Sequence, residues 1–130
     1  MVVLKFDLVY LAVGAFAGAY LRYRIGQNQL YFAGIPISIL MINVLGSFIL
    51  GLSMTAVSLL GLSKDYTLLV GVGFCGSFTT MSSFAYESES YLQIGDLFQG
   101  IGDIVFNVTF CLLAVYAGKS LMTFLVNLLR

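Results

Sequence analysis

An all-α integral membrane protein is the fold class this sequence predicts: four transmembrane helices with a broken third helix, in a single domain over residues 1–130. Three observations predict it. The chain is 60% hydrophobic and only 9% charged, with a mean hydropathy of +1.01, whereas about a quarter of a soluble domain is charged. Its apolar residues fall into four long segments separated by short polar connections. One of those segments carries glycines and hydroxyl residues where lipid-compatible residues are expected.

The first segment, residues 7–25, contains Gly14, Ala15, Ala17, Gly18 and Ala19. Its Gly14/Gly18 spacing puts two small residues on one helix face and lets a neighbour approach closely. Arg22 and Arg24 follow at the membrane edge. Gln27-Asn28-Gln29 makes a polar connection ending near Pro36, the only proline, which is well placed at a helix start. The second segment, 37–60, is interrupted by one amide, Asn43, with Gly46, Ser47 and Gly51 beyond it. Gly61, Ser63, Lys64 and Asp65 form a turn. The third, 66–91, holds the polar insert and closes at Gln93, Gly95 and Asp96. The fourth, 97–129, at about 1.5 Å per residue exceeds a ~30 Å hydrocarbon core, so its first turns are expected in the interface.

Composition excludes several functions. There is no histidine, and Cys75 and Cys111 stand alone in apolar stretches. Histidine catalysis, a Cys/His zinc site and a disulfide framework are therefore not indicated, and both cysteines read as packing residues. Net charge is zero with no basic run, so nucleic acid finds no electrostatic foothold. No nucleotide motif and no nucleophile–base pair is visible. The N-terminus lacks a cationic region and cleavage site, so the first segment is expected to stay in place. Lys5, Lys64, Lys119 and Arg130 would lie on one side of the bilayer and Arg22 and Arg24 on the other. Four against two assigns no orientation. A chain so weakly biased is expected to insert both ways and pair as an antiparallel twofold dimer.

The insert reads Gly73-Phe-Cys-Gly-Ser-Phe-Thr-Thr-Met-Ser-Ser-Phe84. Within hydrocarbon each backbone polar group needs a partner, so a helix break survives only where protein or water covers it. Such breaks present carbonyls and helix ends to ions. Scattered hydroxyls in membranes often bond their own helix carbonyls, but Thr79, Thr80, Ser82 and Ser83 crowd within five residues beside Gly76 and Ser77. Unpaired carbonyls suit a monovalent cation and freed N–H groups an anion. Asn43 is either interhelical glue or an anion-facing donor. Met81 and Phe84 share a helix face, and a phenyl ring edge can meet an anion. Glu87 and Glu89 lie just beyond. Asp103, Asn107 and Cys111 repeat every four residues, a stripe for packing or for lining a path. Arg22 is a headgroup anchor or a vestibule charge.

Three stretches, Gly14-Ala-Phe-Ala-Gly-Ala-Tyr-Leu-Arg-Tyr23, Asn43-Val-Leu-Gly-Ser-Phe-Ile-Leu-Gly51 and the Gly73–Phe84 insert followed by Glu87, occur in that order. With the Ala114-Val-Tyr-Ala-Gly118 ending they resemble the Fluc (CrcB) family of fluoride channels over essentially the whole chain. The resemblance implies an antiparallel dual-topology dimer with two fluoride pores and a structural sodium ion at its centre. Gly76 and Thr79 match the residues whose backbone carbonyls hold sodium, and Asn43 the pore amide that hydrogen-bonds fluoride. Phe84 matches the second of two pore phenylalanines. Asn107 and Cys111 match hydroxyl positions of the fourth-helix polar track, and Thr80 and Ser82 are expected with them in the anion pathway. Arg22 matches the vestibule arginine, grouped here with Glu87 and Asp103.

Two residues depart from that pattern. Met81 stands where the first pore phenylalanine is expected, replacing an aromatic edge with a flexible, polarisable thioether. Asp103 stands where a fourth-helix tyrosine would begin the polar track, and a carboxylate repels fluoride unless it is paired, protonated or in the wet vestibule. The resemblance implies passive fluoride export across the cytoplasmic membrane. The partners are fluoride, the lipid bilayer, and an identical or related subunit. The departures raise a second reading, a non-identical partner with a degenerate pore or a non-conducting assembly subunit. A third, a small proton-coupled multidrug exporter, needs a membrane-embedded carboxylate, but the first segment has none beyond Asp7 and Asp103 lies in the wrong segment.

Overall fold

The computed structural model of the chain describes residues 3–32 and 35–129. Helix α1 (Val3–Gln27) begins a turn ahead of Asp7. A short antiparallel pair follows, β1 (Tyr31–Phe32) with β2 (Ile35–Pro36), Tyr31 opposite Pro36 and Phe32 opposite Ile35. Pro36 thus ends a strand instead of opening a helix. Helix α2 (Ser38–Leu60) starts two residues later. Its Ser38 Oγ accepts the Leu30 N–H at 2.8 Å, and the Ile37 N–H donates to Leu30 O at 2.8 Å. These bonds close the hairpin across residues too far apart for local periodicity to reveal.

After Gly61, in the left-handed conformation at φ 66°, the third rod is assembled from pieces. It comprises α3 (Lys64–Tyr66), a π-helical stretch (Thr67–Cys75), α4 (Gly76–Phe78) and α5 (Met81–Gln93). Between α4 and α5 the backbone of Thr79 and Thr80 is extended, with ψ 157° and 107°. At the far end the Gly95 N–H donates to Leu92 O at 3.1 Å and the Asp96 N–H to Tyr91 O at 3.0 Å, the paired closure of a Schellman motif. Asp96 also caps α6 (Leu97–Leu128), its Oδ1 accepting the Gln99 N–H at 3.0 Å.

Two close helix contacts organise the packing. Helix α1 lies on the π-helical stretch, where a Cβ on Gly14 would overlap the Leu69 carbonyl and one on Gly18 the Phe74 carbonyl. Helix α2 lies on α6, where a Cβ on Gly51 would overlap the Val115 carbonyl and one on Gly118 the Phe48 carbonyl. Backbone touches backbone at both seams, as small residues allow in membranes. Phe78, Cys75, Ile42, Phe84 and Ala56 are buried between them. An exposed ion pair, Lys64 Nζ to Asp7 Oδ2 at 2.6 Å, ties the start of the third rod to α1, a contact worth at most about 1 kcal/mol.

The outer surface is apolar: Phe16, Leu112, Tyr116 and Leu128 are all exposed. Among the described residues, three helices are long and apolar enough to cross a membrane, Ser38–Leu60, Lys64–Gln93 and Leu97–Leu128. The chain is a largely helical, multi-pass membrane protein.

Candidate functional site

The extended pair Thr79–Thr80 faces the middle of α2, and the site grows from that contact. Gly46 leaves room for Thr79 and Phe78, since a Cβ there would overlap the Thr79 methyl group. One turn earlier, Asn43 binds the break through both ends of its amide. Its Oδ1 accepts the Thr80 N–H at 2.8 Å, and its Nδ2 donates to Thr80 O at 3.3 Å and to Asn107 Oδ1 at 3.2 Å. Asn107 Nδ2 in turn donates to Asp103 Oδ1 at 2.8 Å and to the Asp103 carbonyl at 3.3 Å. Asn43, Thr80 and Asn107 are all buried, and burying such groups is tolerable because each is hydrogen-bonded.

A cleft of about 330 Å³ opens on this network. Its wall includes Asn43, Gly46, Gly76, Thr79, Thr80, Met81, Phe84, Asn107 and Cys111. Phe84 is buried, while Met81 is 73% exposed at the rim. A second, larger cleft of about 570 Å³ lies along α5 toward the hairpin, lined by Gln29, Ile39, Ser82, Ser83, Tyr86, Glu87, Ser90 and Tyr91. Hydroxyls join the two: Thr80 Oγ1 lies 2.9 Å from Ser83 Oγ and 3.4 Å from Ser82 Oγ. Thr80 Oγ1 also caps α5 by accepting the Ser83 N–H at 3.2 Å.

The structure therefore brings Asn43, Thr80, Met81, Phe84, Asn107 and Cys111 to one cleft and puts Ser82 with Glu87 in the other. Arg22, half-buried on α1, lines neither. Asp103 also lines neither; it is held by Asn107 and by Ser88 Oγ at 2.5 Å. Sequence reasoning passed over Ser88 although it follows Phe84 by four residues on the same face of α5. Gln29 carried no periodic signal at all, because the hairpin delivers it.

The break also bears on cation binding. An α-helix continuing through it would pair the Thr80 N–H with the Gly76 carbonyl, but that N–H goes to Asn43 Oδ1 instead. Gly76 is exposed, with nothing near the place a Cβ would occupy. The Gly76 and Thr79 carbonyls thus belong to backbone leaving the helical ladder beside an open glycine face, a donor set that fits a hard monovalent cation. No group of three or more His, Cys, Asp or Glu side chains is placed to hold a metal among the described residues.

Comparison with known proteins gives one consistent family. The profile of the CrcB-like proteins, described as camphor resistance (CrcB), matches residues 9–119. A fluoride-specific ion channel FluC of Methanocaldococcus jannaschii is 38% identical over 115 residues, 88% of this chain and 93% of that one. The FluC of Methanococcus vannielii is 40% identical over 109 residues, covering 84% and 89% of the two chains. The FluC of Shewanella halifaxensis is 35% identical over 118 residues, covering 89% and 95%. With a match across most of its length and relatives above a third identical over nearly whole chains, this protein belongs to the CrcB family.

Proposed function

We propose that the chain is a subunit of a passive, fluoride-selective ion channel in the cytoplasmic membrane, not an enzyme, and that it exports fluoride to relieve its toxicity. The observation that carries this is the cleft at the helix break, where the Asn43 amide, the Thr80 backbone, the Phe84 ring and Asn107 converge, in a chain whose relatives are named fluoride-specific ion channels. Fluoride exchanges its tightly held water for a few aimed donors and a ring edge in a narrow path. It passes the Asn43 NH₂, whose two protein bonds are long enough for a stronger acceptor to replace. Met81 and Phe84 form the wall, Cys111 and Asn107 the fourth-helix side, and Ser82 with Glu87 the approach.

In this reading α1 is a fourth span, since its 25 residues at about 1.5 Å each exceed a ~30 Å core. Two chains pair antiparallel, inserted in opposite directions, with sodium between them on the Gly76 and Thr79 carbonyls of both subunits. Support for that arrangement is the exposed Gly76 face and the diversion of the Thr80 N–H to Asn43.

Fluoride efflux from proteoliposomes containing this chain alone is the test. Rapid release of fluoride but not of chloride is expected. No release alone, with release restored by a second CrcB subunit, would establish the obligate-partner reading that Met81 favours by replacing an aromatic edge. Proton-driven uptake of a cationic dye would point instead to an exporter.

A further inference from the structure

Asp103 lines neither cleft, yet it sets the orientation of the Asn107 amide, which meets the Asn43 amide at the site. An amide donates only through its NH₂ and accepts only through its oxygen. Asp103 presents two acceptors to Asn107, its Oδ1 at 2.8 Å and its backbone carbonyl at 3.3 Å, so the Asn107 NH₂ must face it. Asn107 Oδ1 is then turned toward Asn43, whose NH₂ reaches it at 3.2 Å. The Thr80 backbone demands the same orientation from the other side, its N–H donating to Asn43 Oδ1 at 2.8 Å and its carbonyl accepting from Nδ2 at 3.3 Å. Were Asn107 reversed, its oxygen would meet two Asp103 oxygens and its NH₂ would meet the NH₂ of Asn43. Both amides are largely shielded, Asn43 being 8% and Asn107 3% exposed, so a reversed pair would leave polar atoms poorly paired.

We infer that Asp103 is a positioning residue for fluoride passage. It holds the Asn107 amide with its oxygen toward Asn43, so that the Asn43 NH₂ finds an acceptor on α6 in keeping with the orientation that the Thr80 backbone sets. The inference rests on the channel reading and adds a part to it. The Asn43 carbonyl takes the short bond, which stays, and the NH₂ takes the two long ones, which an anion displaces. Asp103 does this from beyond Asn107, so its own carboxylate need not meet the ion. Ser88, donating to the other carboxylate oxygen at 2.5 Å, completes the support.

Two substitutions separate orientation from charge. Asp103→Asn keeps an acceptor for the Asn107 NH₂, and its own NH₂ can donate to Ser88 Oγ, which is then free to donate to Phe84 O at 3.0 Å. Asp103→Leu keeps the branching and removes the side-chain acceptor, leaving the Asn107 NH₂ only the backbone carbonyl at 3.3 Å, with Asp103→Ala as the alternative if the leucine variant is not monodisperse. Losing one charge-assisted bond predicts initial fluoride efflux about tenfold lower in Asp103→Leu, with Asp103→Asn within about threefold of wild type. Equal loss in both variants, or loss in neither, would overturn the inference. A second readout needs no conduction: the side-chain NH₂ resonances of ¹⁵N-asparagine-labelled protein in micelles, assigned with Asn43→Ala and Asn107→Ala. Both pairs are expected to move in Asp103→Leu and hold in Asp103→Asn. An unmoved Asn43 pair in Asp103→Leu sinks the positioning role, whereas wild-type protein without fluoride efflux, both alone and with a second CrcB subunit, sinks only the channel reading.

Discussion

Asn43 is the residue on which the site turns, because its amide closes the gap that the helix break opens. Asn43→Asp keeps an acceptor for the Thr80 N–H but sets a carboxylate against Thr80 O and Asn107 Oδ1, where the NH₂ now donates. Leaving those buried oxygens facing an anion costs on the order of 2 kcal/mol or more. Fluoride efflux is expected to fall below a tenth of wild type, and undiminished efflux would remove Asn43 from the path. Met81 behaves differently, being 73% exposed at the rim of the cleft. Met81→Phe supplies a second ring edge there with no buried neighbour to displace. Its flux should equal or exceed wild type, and a fall would show that the thioether has a role no ring can fill. At Asp103 residue type alone is not enough: the departure is visible in the sequence, but its bonds to Asn107 and Ser88 are not.

At the scale of elements, glycines decide which helices touch. A Cβ on Gly18 would run into the Phe74 carbonyl and the Phe78 nitrogen, and one on Gly118 into the Phe48 carbonyl and the Leu52 nitrogen. Backbone atoms cannot swing aside as a side chain can, so Gly18→Leu or Gly118→Leu forces the helices apart. Overpacking of that kind predicts a loss of about 2–3 kcal/mol, read as a lower melting temperature in detergent; a variant melting like wild type would show that the seam yields. The Gly14/Gly18 seam was legible because a spacing of four puts both residues on one face whatever the partner. The partner itself, a π-helical stretch from Thr67 to Cys75, was not, since nothing in its run of leucine, valine and glycine separates a widened turn from an ordinary one. The hairpin was hidden for the same kind of reason, its bonds joining Leu30 to Ile37 and Ser38.

Across the whole molecule, the exposed Gly76 face distinguishes folding from assembly. Gly76 has an ordinary helical backbone, φ −65° and ψ −27°, and open space around it. Gly76→Val is therefore expected to leave the subunit folded, its stability within about 1 kcal/mol of wild type by helix propensity. If that face meets a second copy around sodium, the same change should lower fluoride efflux at least tenfold and shift the size-exclusion profile toward the monomer. A variant that stays dimeric and conducting would place the cation and the partner elsewhere. Replacing sodium by a large organic cation on both sides of the membrane should likewise abolish efflux once bound ion has exchanged away.

The sequence by itself determined the class of this protein and the residues worth watching. Segment length, the scarcity of charge and the crowding of hydroxyls with glycines all follow from what a bilayer tolerates, and such constraints act on each stretch separately. What only the tertiary structure decided is how those residues are joined. Asn43, Thr80 and Asn107 lie 37 and 64 positions apart along the chain, and no local rule says which amide will face which carbonyl. That choice belongs to the packing of α2 and α6 around the break, where buried donors and acceptors must all find partners at once. The same demand gives the Asp103 carboxylate its place, as the acceptor that holds the Asn107 amide.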